Sequence, residues 1–150
     1  MISTEQIKEL RNKTNISVMA CKNALEKAGG DLEKALRILR EEGAEIAEKK
    51  SERAVKAGII DSYIHATKQI GVLIEIRCET DFVAKNEDFQ KFVHNIAMHI
   101  TASAPTSVED LLDQNYIKNP QITVNQYLKD TIQKFGENIE ISRFIRYSLK

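Results

Sequence analysis

Residues 70–100 read IGVLIEIRCETDFVAKNEDFQKFVHNIAMHI, and within this stretch the spacing of the apolar positions changes from two to about 3.6. Through residue 78 the pattern alternates, with Val72, Ile74, Ile76 and Cys78 on one face and Glu75 and Arg77 on the other. That is a strand with one covered face. From residue 86 onward Phe89, Phe92, Val93, Ile96, Ala97 and Ile100 recur on one side of a helix. Asn86 is suited to cap that helix, and Glu87 and Asp88 suit its positive end. A half-dry sheet followed by an amphipathic helix predicts that the helix covers the sheet, which makes the chain α+β.

Working outward, residues 59–65 (IIDSYIH) form a second β-rich run, and the four residues 66–69 between the runs are short enough for an antiparallel hairpin. Near the C-terminus IEISRFIRYSL (residues 139–149) reads as a last strand antiparallel to that hairpin, giving three strands. Its period-two reading puts Ile139, Ile141, Ile145, Tyr147 and Leu149 on one face, with Arg143 as the exception. Val124, Tyr127, Leu128, Thr131 and Phe135 mark a further amphipathic helix closed by Gly136. Residues 108–112 give a weaker helical turn, and the polar residues from there to Pro120 read as a loop.

The first 43 residues carry three sets of helix signals. Ser3 and Gln6 have the form of a capping box ahead of Ile7 and Leu10. After Ser17, Val18, Cys21, Leu25 and Ala28 recur at helical spacing up to Gly29 and Gly30. Asp31 caps a third run, Leu32, Ala35, Leu36 and Leu39, which ends before Gly43. Helices of about ten residues are marginal alone, so the three pool their apolar faces in a small bundle. Residues 44–56 (AEIAEKKSERAVK) nearly lack large apolar side chains and read as a charged, solvated helical connector. The expected organisation is therefore a three-helix module over 1–43, the connector over 44–56 and an α+β core over 57–150.

Composition narrows function. With 22 basic and 22 acidic residues the formal charge is zero, and no segment is a basic arm or an acidic tail. The electrostatic footprint of a nucleic-acid binder is missing. Cys21 and Cys78 stand far apart without a CxxC pair, so neither a disulfide framework nor a metal site is expected, and a reducing compartment fits. His94 and His99 flank the helical stripe on different sides and read as surface or rim residues. The start of the chain has no leader pattern and no run is long enough to span a membrane, so the expectation is a cytoplasmic protein. Phe82 follows an acid between strand and helix; spacing alone favours its burial under the adjoining helix. The residues by themselves leave open a generic adaptor that binds through its small bundle. An enzyme is the weakest reading, because three histidines and two cysteines show no nucleophile and base spacing.

One resemblance sharpens this. Leu10, Arg11 and Thr14, MACKNAL at 19–25, Gly29, Gly30 and Asp31, GVL at 71–73, CETDFVAKN at 78–86, AMHI at 97–100, GENI at 136–139 and Arg143 with Phe144 together resemble the translation elongation factor Ts family over nearly the whole chain. The resemblance implies a ubiquitin-associated-like (UBA-like) N-terminal module joined to an α+β core with an antiparallel sheet. It implies a non-catalytic guanine-nucleotide exchange factor for elongation factor Tu, needing no cofactor of its own, and the chain has no GxxxxGK[ST] run. By motif position Thr80, Asp81, Phe82 and Val83 are implied in displacing Mg²⁺ from that partner, and Arg11 and Met19 in contacts of the N-terminal module. Tyr63 and His65 are weaker candidates for a contact of the core. Longer relatives duplicate the core and add a helical hairpin, for which residues 104–123 are too short; two chains forming a homodimer would supply jointly what such relatives hold in one.

Overall fold

The computed structural model describes residues 2–149. Its first half runs α1 (Thr4–Thr14), α2 (Val18–Lys27), α3 (Leu32–Lys50), β1 (Ala57–Ile64) and β2 (Ile70–Cys78). Then follow α4 (Asp81–Ala84), α5 (Glu87–Ser103), α6 (Val108–Asp113), β3 (Asn115–Tyr116), β4 (Asn119–Thr123), α7 (Val124–Phe135) and β5 (Ile139–Ser148).

The strand signals pair as their alternation requires. β1 and β2 form the antiparallel hairpin, with Ile59 opposite Ile76, and β5 runs antiparallel along the other side of β2, in the order β1-β2-β5. Gly58, at φ +150°, lies where a Cβ would be 2.7 Å from Arg77 Cα, so only glycine lets β1 approach β2 there. α5 covers the inner face, and Phe89, Phe92, Val93, Ile96, Ala97 and Ile100 are all at most 2% exposed. At roughly 1.5–3 kcal/mol for each fully buried large apolar side chain, this helix and the strand face beneath it dominate the core.

β5 departs from simple alternation. Its pairing with β2 slips between Ile141, opposite Ile76, and Arg143, opposite Glu75, which leaves Ser142 as an extra residue. A bulge of this kind exchanges the two faces of everything beyond it. Ile139 and Ile141 therefore point into the core, but Ile145 and Tyr147 turn outward to 44% and 71% exposure, while Phe144 packs against the core in their place. Arg146, on the inner side, donates from Nη2 to Thr101 O at 3.0 Å.

Three further expectations need correction. The third helix does not stop at Gly43 but continues to Lys50. Gly43 is buried where α3 meets α7: a Cβ there would come 2.5 Å from Gln133 Oε1, and Ala47 one turn on joins the sheet core. The small side chains of that stretch signal close helix packing as well as a wet face. The segment from Asp113 to Pro120 is not a plain loop, because β3 and β4 pair in a small antiparallel hairpin. His99 is fully buried rather than at the rim.

α1, α2 and the first part of α3 share a separate core built on Leu10, Ile16, Cys21, Leu25 and Leu39. The capping box at Ser3 is fully formed, and Ser17 and Asp31 cap α2 and α3. This bundle is tied to the larger core by the shared helix α3 and by polar contacts. Arg40 lies 3.8 Å from Asp130, and Lys50 Nζ donates to Gly136 O at 2.8 Å.

Candidate functional site

β2 ends at Cys78, and two residues later Thr80 starts the single turn α4. Thr80 is the cap: its Oγ1 accepts from Val83 N at 3.3 Å, and the Lys85 N–H closes the turn on Asp81 O at 3.0 Å. Asn86 then receives the chain as the cap of α5. Within α4 successive residues are about 100° apart. Val83 and Ala84, at 5% and 4% exposure, occupy the inward direction, so Phe82 is thrown outward and is 84% exposed. The expectation from spacing that Phe82 packs under α5 is thus overturned: a one-turn helix has room for one inward side, and Phe89 already fills the space at the start of α5. Asp81 is exposed beside Phe82.

The turn is held from outside by the segment leading into β5. Glu137 Oε1 accepts from the backbone N–H groups of Glu79 and Thr80, both at 3.1 Å, and Oε2 accepts from the Thr80 hydroxyl at 2.7 Å. In return Glu79 Oε2 accepts from Asn138 N at 2.6 Å. Below the turn Cys78 Sγ donates to Thr80 O at 3.3 Å. Burial, then the neighbouring Glu137 carboxylate, pushes the Cys78 thiol up to about 11, so it is a structural donor at neutral pH and no nucleophile.

The other residues of interest lie elsewhere. Met19, 65% exposed beside Val18 at 51%, opens α2, and Arg11 is exposed in the last turn of α1. Tyr63 is half-buried against the sheet core with its ring 5.6 Å from that of His94, whereas His65 is exposed at the hairpin turn, Nδ1 beside Thr67 Oγ1 at 2.9 Å. Of the residues singled out, the structure brings together Thr80, Asp81, Phe82 and Val83, with Val83 as the inward anchor and Phe82 as the projection. Glu137 stands in the GENI run at 136–139, just after the Gly136 helix cap, but nothing in that run alone assigns it a role at the turn. Among the described residues no group of three or more His, Cys, Asp or Glu side chains is placed to hold a metal ion, and no helix is long and apolar enough to cross a membrane.

These features define a class: an α+β protein with a small helical bundle, which presents an exposed aromatic on a braced turn at the end of its central strand. Residues 79–150 match the family described as Elongation factor TS. The chain is 40% identical to elongation factor Ts of Carboxydothermus hydrogenoformans, over 99% of this chain and 89% of that one. It is 38% identical to that of Desulfosudis oleivorans, covering 98% of the relative, and 45% identical to that of Clostridium kluyveri, of which it spans 49%. The chain belongs to the elongation factor Ts family.

Proposed function

We propose that this protein is a guanine-nucleotide exchange factor for elongation factor Tu, acting in the cytoplasm without catalysing a covalent step. It binds the GDP-loaded partner, promotes loss of Mg²⁺ and GDP, and so returns the partner to its GTP form during translation elongation. The observation that carries this reading is Phe82, a large aromatic left 84% exposed on a turn that is otherwise anchored and hydrogen-bonded.

GDP and its Mg²⁺ are held on a GTPase by charge and by ordered loops. A rigid aromatic wedge with a carboxylate beside it, Phe82 with Asp81, displaces such loops and weakens the metal. The phosphates then lose their counter-charge. The factor therefore prefers the nucleotide-free partner, and reciprocity requires that incoming nucleotide expel it. A coupling of about 3–4 kcal/mol corresponds to a change on the order of 10² to 10³-fold. The UBA-like bundle, taken as the module over 1–43, docks through Arg11 and Met19, and Tyr63 and His65 add a contact from the core. The outer sheet face supports a homodimer.

Release of a fluorescent GDP from elongation factor Tu tests the reading. Phe82→Ala is expected to lose most of the acceleration, by tenfold or more. Its unfolding midpoint should barely move, since substitutions of exposed side chains usually fall within about 0.5 kcal/mol. A variant as fast as the wild type would remove Phe82 from the mechanism.

A further inference from the structure

The GENI run ends up opposite the exchange turn, and the polar atoms there are organised with unusual economy. The β2–β5 ladder finishes at the pair Cys78 and Ile139. Beyond it, side chains take over from the backbone in a crosswise pattern: Glu137 binds the backbone of residues 79 and 80, and Glu79 binds the backbone of residue 138. Both oxygens of Glu137 are used, for three donors in all. The Thr80 hydroxyl gives its proton to Glu137 and keeps a lone pair for Val83 N, so the same contact that binds Glu137 orients the helix cap.

We infer that Glu137 is a positioning residue for exchange: its carboxylate fixes the backbone from which Phe82 and Asp81 project, an inference that rests on the exchange function proposed above. The bracing reaches further. Asn138 Nδ2 donates to Arg53 O at 2.9 Å, and Arg53 lies 3.6 Å from the Glu79 carboxylate. The turn is thereby referenced both to β5 and to the chain leaving α3, which carries the N-terminal bundle. Charge-assisted bonds to backbone N–H groups are the strong kind, and here they act where the ladder has already ended, so their main effect is on the direction of the turn. Removing the carboxylate frees the Thr80 hydroxyl to rotate and leaves the amides of Glu79 and Thr80 to water. Phe82 then samples several directions, and misplacing a reacting or intruding group by about 1 Å costs up to about a hundredfold in rate.

The test uses the full chain and five variants, Phe82→Ala, Glu137→Ala, Glu137→Gln, Phe82→Ala with Glu137→Ala, and Thr80→Val, in fluorescent-GDP release from elongation factor Tu, with amide hydrogen exchange of the free proteins. Glu137→Ala is expected to lower the maximal rate about tenfold or more, while the factor concentration giving half that rate changes less. Glu137→Gln, which keeps an acceptor for both N–H groups, should recover to within about threefold of wild type. The double variant should be no slower than Phe82→Ala alone. Exchange of the Thr80 and Val83 amides should quicken in Glu137→Ala with that of Ile74 and Ile76 unchanged. Thr80→Val, which removes the hydroxyl arm and with it the cap on Val83 N but leaves both backbone amides on Glu137, should show a smaller loss in the same direction, so the outcome does not hang on one variant's folding. Full activity in Glu137→Ala alongside a slow Phe82→Ala would overturn the positioning role and leave the exchange function standing. A Phe82→Ala as fast as wild type would overturn the exchange role of the turn itself, and with it the inference. A Glu137→Gln as slow as Glu137→Ala would also contradict it.

Discussion

Two ring nitrogens fix the state of His99. Ile117 N donates to Nδ1 at 3.2 Å, so Nδ1 is the acceptor and Nε2 carries the hydrogen, directed at Gln114 Oε1 2.9 Å away. The side chain is fully buried, and burial lowers its pKa below the ordinary histidine value, against a smaller opposing effect of Gln114. In the unfolded chain a histidine takes up a proton below about pH 6.5, which the folded protein resists. Its contribution is therefore present above that pH and lost as pH falls, at up to about 1.4 kcal/mol per pH unit. Denaturant unfolding between pH 7.5 and 5 should show a shallower decline for His99→Gln than for wild type; equal slopes would refute this. The burial of position 99 is not legible in the sequence, because the apolar spacing marks only one dry face of its helix. Phe92, Ile96 and His99 recur at helical spacing along a second flank of α5, where Tyr127 of α7 meets Phe92 at 4.9 Å between ring centroids and Tyr116 of β3 lies 5.9 Å from the imidazole. The exposure of Phe82 escapes the sequence for the opposite reason, since nothing in a local spacing shows that a turn is only four residues long.

At the level of elements, most of the sheet was legible, because alternation in β2 and the short hairpin loop leave one pairing that buries Val72, Ile74 and Ile76. The slip at Ser142 was not, since a bulge is decided by partner strands and not by the run itself. Its consequence is an outer face with three cross-strand rows: Ile60, Glu75 and Arg143; Ser62, Leu73 and Ile145; Ile64, Gly71 and Tyr147. Glu75 is held by Arg77 Nε at 3.1 Å and by Arg143 Nη2 at 3.3 Å, and the Arg77 hydrogen bond leads in keeping its carboxyl below the usual range. The apolar members Ile60, Leu73 and Ile145 are 63%, 51% and 44% exposed. An exposed apolar sheet face is what the homodimer proposed above would bury across its two-fold axis. Light scattering should give twice the chain mass for wild type and one chain mass for Leu73→Glu, with little change in unfolding midpoint. A wild-type monomer across the micromolar range would count against the pair.

For the whole molecule, the bundle and the sheet core are joined by a continuous α3, by the Arg40–Asp130 and Lys50–Gly136 contacts, and by Asn138 reaching Arg53. Such links, some 85 residues apart along the chain, have no local signature, which is why a solvated connector was the natural reading of residues 44–56. On the proposed function these links would keep the base of the wedge from yielding. The central claim, that the turn works by loosening the partner's Mg²⁺, is tested most directly by measuring GDP release from elongation factor Tu with and without this protein, first in millimolar Mg²⁺ and then with the metal chelated. If the protein and the chelator remove the same restraint, their effects overlap: acceleration is large with Mg²⁺ present and shrinks at least tenfold when the metal is gone. Equal acceleration in both conditions, or none in either, would contradict the account.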